Sequence, residues 1–120
     1  MIEPSLIPVV AARFKALADP GRLAILSCLQ DGEKSVSELV EATGRSQPNV
    51  SQHLSSLARA GFVSCRRDGT FAFYRIADPY VARICESVCN GLDRQIREGR
   101  GLLAGLRRDG RRRKAARARG

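Results

Sequence analysis

The chain of 120 residues has one histidine, no tryptophan and few aromatics of any kind, 5%. With a single imidazole, no phosphate-cradling glycine loop and no nucleophile matched to a base, no catalytic constellation is visible. No stretch is long and apolar enough to cross a bilayer, so no membrane partner is expected. Met1 to Val10 lacks a basic start and is interrupted by Pro4 and Pro8, so no signal peptide is legible and a cytoplasmic protein is expected. In that compartment Cys28, Cys65, Cys85 and Cys89 are expected to be reduced. They are then small hydrophobes, ligands or redox groups rather than structural disulfides. Lys and Glu, the usual residues of a solvated helix face, are missing from Gln47 to Ala58.

Positive charge is what the chain has in excess. The net charge is +9, and Arg107 to Gly120 carries +7 of it, with eight basic residues and one Asp. Such a tail is a phosphate-binding arm or a solvated end, and its lack of an apolar stripe predicts disorder in either case. The chain divides accordingly into a lead (1–8), a domain (9–106) and a basic tail (107–120).

The stretch Ser35 to Gly61 organises the domain. Ser35 and Glu38 have capping-box spacing, and Val36, Leu39 and Val40 form the stripe of a short helix. Gly44 is placed where a left-handed residue ends it. Ser46 then caps a second helix with Pro48 in its first turn. Val50, Leu54, Leu57 and Ala58 fall on one face of this helix, and Gln47, Ser51, Gln52, Ser55 and Arg59 lie away from its centre. Gln can pair with an adenine edge, Ser can donate to or accept from any base, and short polar side chains let a helix approach closely. Two helices, a glycine turn and such a face predict a helix-turn-helix whose second helix enters the major groove, against the alternative of an ordinary solvated face.

The flanks fit around it. Val9, Val10, Phe14 and Leu17 predict a first helix ending near Asp19. Ala-Asp-Pro at 18–20 and again at 77–79 reads as an Asp cap with Pro at the first helical position. The first starts a helix through Leu23, Ile25, Leu26 and Leu29, ended by Asp31-Gly32. From Phe62 to Ile76 the period becomes two, and Asp68-Gly69 predicts a hairpin with Arg66, Arg67 and Thr70 near its tip. A basic hairpin after a recognition helix is a wing, its arginines directed at phosphates or the minor groove; the alternative is a plain solvated tip. A last helix begins at Asp78 and carries Val81, Ile84, Cys85, Val88, Cys89, Leu92 and Ile96 on one narrow stripe, with Gly91, Gly99, Gly101 and Gly105 weakening it toward the tail. That stripe is a natural dimer seam, together with the first helix. A two-fold dimer would set two recognition helices on successive grooves of palindromic double-stranded operator DNA. The expected fold is mainly α with a small β-hairpin: a homodimeric winged helix-turn-helix of about five helices.

Phe14 to Leu26 (FKALADPGRLAIL), Ser46 to Leu54 (SQPNVSQHL), Ala60 to Val63 (AGFV) and Arg66 to Gly69 (RRDG) together closely resemble the ArsR/SmtB family of winged helix-turn-helix repressors. The resemblance covers about Val9 to Leu92. It implies a homodimer that leaves its operator when an inducer binds, usually a metal ion or metalloid, in some branches an oxidant or persulfide. It also places Gln47, Pro48, Ser51 and Gln52 at the family's usual DNA-facing positions. With Ser46, Asn49, His53, Ser55, Arg66, Arg67 and Thr70 they make up the expected DNA-binding set. His53 is either a phosphate or base contact, or a packing residue.

Two inducer sites of the family are not matched. The paired cysteines of its first helix-turn-helix helix are absent from Ser37 to Thr43, and the last helix has Glu86, Asp93 and Glu98 but no His. Cys85 and Cys89 remain, spaced i, i+4 on one helix face. Thiolates would hold As(III), Cd(II), Pb(II) or Cu(I), or be oxidised or persulfidated, with Cys65 or Cys28 as a third ligand. The alternative is that they pack and no cofactor is bound. Two other functions stay open: a winged-helix regulator without metal or redox inducer, and a general nucleic-acid-binding protein acting through the tail.

Overall fold

The computed structural model describes residues 1–99, so the tail and Gly101 and Gly105 lie outside the described residues. The described chain falls into two units, Met1–Ala82 and a second that begins at Arg83.

In the first unit, a 3₁₀ turn at Pro4–Leu6 leads directly into α1, Ile7–Leu17. The lead is therefore structured from Pro4. Glu3 caps it, its carboxylate accepting from the Ser5 hydroxyl and amide. The first helix also ends two residues short of Asp19, because Asp19 is already extended and caps α2, Pro20–Leu29. Its carboxylate accepts from the Arg22 amide at 3.0 Å, with Pro at the start of the helix where no amide is needed. Gly32, at φ +128°, turns the chain after α2.

A strand not visible in the sequence follows: β1, Lys34–Ser35. It is too short to show a period of two. Next come α3 (Val36–Thr43), α4 (Gln47–Arg59), β2 (Val63–Asp68) and β3 (Phe71–Ile76). The strands form one antiparallel sheet in the order β1-β3-β2, with Ser35 opposite Phe73 and Cys65 opposite Tyr74. The expected hairpin has two strands, and the third edge is closed by the capping residue of α3.

The core is made by Leu17, Ile25, Leu26, Leu29, Leu39, Val50, Leu54, Leu57, Phe62, Val63 and Val81, all buried. Each such side chain contributes about 1.5–3 kcal/mol by leaving water. Leu23 stays exposed although it belongs to the apolar run of α2, and Ala58 is exposed rather than part of the buried row of α4. Gly61 (φ +80°) ends α4, with its amide donating to Ala58 O and that of Phe62 to Leu57 O. This is a Schellman arrangement, and it delivers buried Phe62 into the start of the sheet.

The last helix, α5, runs Pro79–Arg97. The Tyr80 amide donates to Asp78 Oδ1 at 2.9 Å, as the Ala-Asp-Pro pattern predicts. From Arg83 onward α5 belongs to the second unit, where Ile84, Val88, Leu92 and Ile96 form an exposed apolar row at intervals of four.

Candidate nucleic-acid interface

The interface is built from α3, the turn after it, α4 and the β2–β3 hairpin. The capping box of α3 is reciprocal: the Ser35 hydroxyl accepts from the Glu38 amide at 3.1 Å, and Glu38 Oε1 from the Ser35 amide at 3.0 Å. Hydrogen bonding from the Ser35 amide, and second from its hydroxyl, holds the Glu38 carboxyl below its ordinary range. Gly44, at φ +68°, ends α3 with its amide on Val40 O, as a left-handed residue must. Ser46 caps α4 by accepting from the Asn49 amide at 3.3 Å.

Val50, Leu54 and Leu57 along α4 are fully buried, and this fixes which side of the helix faces out. Gln47, Pro48, Gln52 and Ser55 are exposed, and Ser51 is half-buried. Gln47 Nε2 donates to Ser51 Oγ at 3.0 Å, one turn on. From Gln47 to Ser55 this leaves a row of amides and hydroxyls with no charge among them, and Arg59 follows it at the end of the helix.

Two members of the expected set are turned elsewhere. Asn49 is half-buried and accepts at Oδ1 from Arg45 Nη1 at 3.2 Å. The His53 ring is only 14% exposed and lies against the start of α2, so the packing alternative describes its position.

The expected hairpin is present, and β2 runs on through Arg66, Arg67 and Asp68. Asp68 is paired with Phe71 as the last strand residue, and Gly69-Thr70 form the loop. Only Gly69 has positive φ, +61°, which fits a type II′ turn. Arg67 and Thr70 are exposed near the tip. Arg66 is already engaged: its Nη2 and Nε donate to the two Glu33 oxygens at 2.6 and 3.3 Å, and its guanidinium lies 4.8 Å from the Phe73 ring centre. This fork holds the Glu33 carboxyl down and the Arg66 guanidinium up.

The cysteines are dispersed. Cys28 is half-buried against the core, and Cys65 is exposed on β2 opposite Tyr74. In the second unit Cys85 is half-buried and Cys89 exposed. Burial, and then the neighbouring Cys89, pushes the Cys85 thiol up. Among the described residues no three or more His, Cys, Asp or Glu side chains come together as a metal site.

Sequence reasoning missed Glu33, Arg22, Gly21 and Arg45, which hold functional elements in place. The Arg22–His53 and Glu33–Arg66 contacts span tens of residues and Gly21 acts by a missing side chain, so no local spacing signals them, while Arg45 meets Asn49 only four positions on.

A helix-turn-helix with an uncharged polar outer row, followed by a two-stranded wing, defines a winged helix-turn-helix DNA-binding protein. The family model for bacterial regulatory proteins of the arsR family matches residues 19–64. Over 101 residues the chain is 41% identical to the HTH-type transcriptional regulator KmtR of Mycobacterium tuberculosis, covering 78% of each protein. It is 50% identical over 80 residues to a probable mercury resistance operon repressor of Streptomyces lividans, covering 66% of this chain and 64%, just under two thirds, of that one. The crystal structure of M. tuberculosis Rv0081 superposes with a TM-score of 0.70 at 38% identity, over 81% of this chain and 97% of that one. A Mycobacterium bovis protein solved by NMR as a homodimeric winged helix-turn-helix domain gives 0.69 at 39% identity, over 78% and 86%. The chain belongs to the arsR family and is a DNA-binding transcriptional repressor of that type.

Proposed function

We propose that the protein is a homodimeric repressor that binds palindromic operator DNA through α4 and the wing. A thiophilic or thiol-reactive inducer acting at Cys85 and Cys89 then releases it. The observation that carries the DNA half is the division of α4 into a fully buried row and an exposed, uncharged polar row. Gln47, Ser51 and Gln52 read base edges, while Arg67 and the tail hold phosphates. The exposed apolar row of α5 supports the dimer, and so does the homodimeric state of the M. bovis relative.

The inducer half is supported by the i, i+4 thiols on α5 and by the mercury-resistance role of the S. lividans relative. A soft cation would displace the thiol proton and cancel the mutual repulsion of the two thiolates. A second reading, a repressor with no such inducer, has one observation in its favour: Cys85 is pushed toward the protonated thiol of a packed cysteine.

The test selects an operator with the full chain from random duplexes. Release is then titrated with Hg(II), As(III), Cd(II), Pb(II), Cu(I) and a persulfide donor, on wild type and Cys85→Ser/Cys89→Ser. Release of wild type alone is the expected result. Release of both proteins by every active agent would move the sensor elsewhere, and release of neither would favour the second reading.

A further inference from the structure

The only histidine of the chain lies in the middle of α4, between Gln52 and Leu54, yet it does not face outward. Arg22 Nε donates to His53 Nδ1 at 3.4 Å, and His53 Nε2 lies 3.5 Å from Asp19 Oδ2. A neutral imidazole has one acceptor and one donor. With Nδ1 accepting, the proton sits on Nε2 and faces the Asp19 carboxylate.

Both partners are themselves held. Asp19 caps α2 through the Arg22 amide, and Arg22 Nη1 donates to Ala16 O in the last turn of α1 at 3.0 Å. The anchor thus ties the end of α1 and the start of α2 to the middle of α4. Gly21 makes room for it. A Cβ there would stand 2.8 Å from both His53 Nε2 and Arg45 Nη1, closer than such atoms approach.

We propose that His53 is a positioning residue for operator recognition, fixing the rotation of α4 on α2 and hence the direction of Gln47, Ser51 and Gln52. This rests on α4 being the recognition helix. The buried row of α4 sets its depth in the core, but apolar contact is non-directional and tolerates rotation. A helix side chain about 5–6 Å from the axis moves by about 2 Å for a rotation of roughly 20°. That exceeds the few tenths of an ångström over which a hydrogen bond to a base survives. A directional contact one residue from Gln52 removes that freedom.

The test compares the selected operator duplex with a scrambled duplex of the same length, at several salt concentrations, for the full chain. His53→Ala lowers operator affinity about tenfold, the scale of one charge-assisted hydrogen bond. It leaves scrambled-duplex affinity and the salt slope unchanged. His53→Asn, whose amide oxygen can replace Nδ1 as acceptor, restores most of the loss. Gly21→Ala, which leaves the imidazole intact but crowds it, lowers the same operator preference. These two variants carry the comparison if His53→Ala does not fold.

A loss on both duplexes with a shallower salt slope would make His53 a phosphate contact and overturn the proposal. So would an unchanged preference in all the variants. If wild type shows no operator preference, the recognition-helix reading fails first and this inference goes with it.

Discussion

At the residue scale, similar side chains take different tasks according to what they touch. Gln52 is exposed and His53, one residue on, is enclosed by α2. Arg67 is exposed, while Arg66, one residue before it, is forked onto Glu33. The fork is on the surface, where such pairs contribute little net stability, so its effect is to occupy Arg66. Gln52→Ala is expected to cost about 1–3 kcal/mol on the operator and to relax preference at one base pair. A binding-site selection repeated with the variant checks this. An unchanged consensus would take Gln52 out of base reading.

At the element scale, the helix starts carry the polar order of the fold. Ser35→Ala removes the hydroxyl that holds the Glu38 amide, and it is expected to destabilise the domain by about 1 kcal/mol, read from denaturant unfolding. The same caps set an acid sensitivity. Asp19 is held down first by the Arg22 amide, and Glu38 by the Ser35 amide. A carboxylate whose pKa is lower in the folded state adds stability above its unfolded pKa and loses it as pH falls through the folded one. Unfolding midpoints are therefore expected to drop between roughly pH 5 and pH 3, and to drop less in Asp19→Asn/Glu38→Gln, whose slope against pH is the check.

At the scale of the whole molecule, the proposed assembly rests on the apolar row of α5 and the proposed grip on phosphates on the charge of the tail. Leu92 is mid-row and 40% exposed in a single chain. In a seam, Leu92→Glu would bury a charge without a partner, so monomers and loss of tight operator binding are expected; sedimentation checks the first, and a dimer of unchanged affinity would contradict the seam. Removing Arg107 to Gly120 takes away +7 of the +9 charge. That is expected to weaken operator and scrambled duplexes alike and to flatten the salt slope, measured as affinity against salt concentration.

The sequence by itself determined the helix-turn-helix, because its signals are local. A capping box, a glycine at a left-handed turn and a Ser-x-Pro start each act within four residues, and all stand in the structure where the spacing puts them. It also determined the outward row of α4, since a period of 3.6 follows from helix geometry alone. The tertiary structure decided what depends on contacts distant in sequence. The strand Lys34–Ser35 exists only because β3 lies beside it, and Arg66 is held by a residue 33 positions earlier. His53 turned inward because α2 offers it Arg22 and Asp19 across a space that Gly21 leaves open. Polar side chains choose among partners by distance and direction in the folded chain, and those two quantities are not written in the spacing of residues.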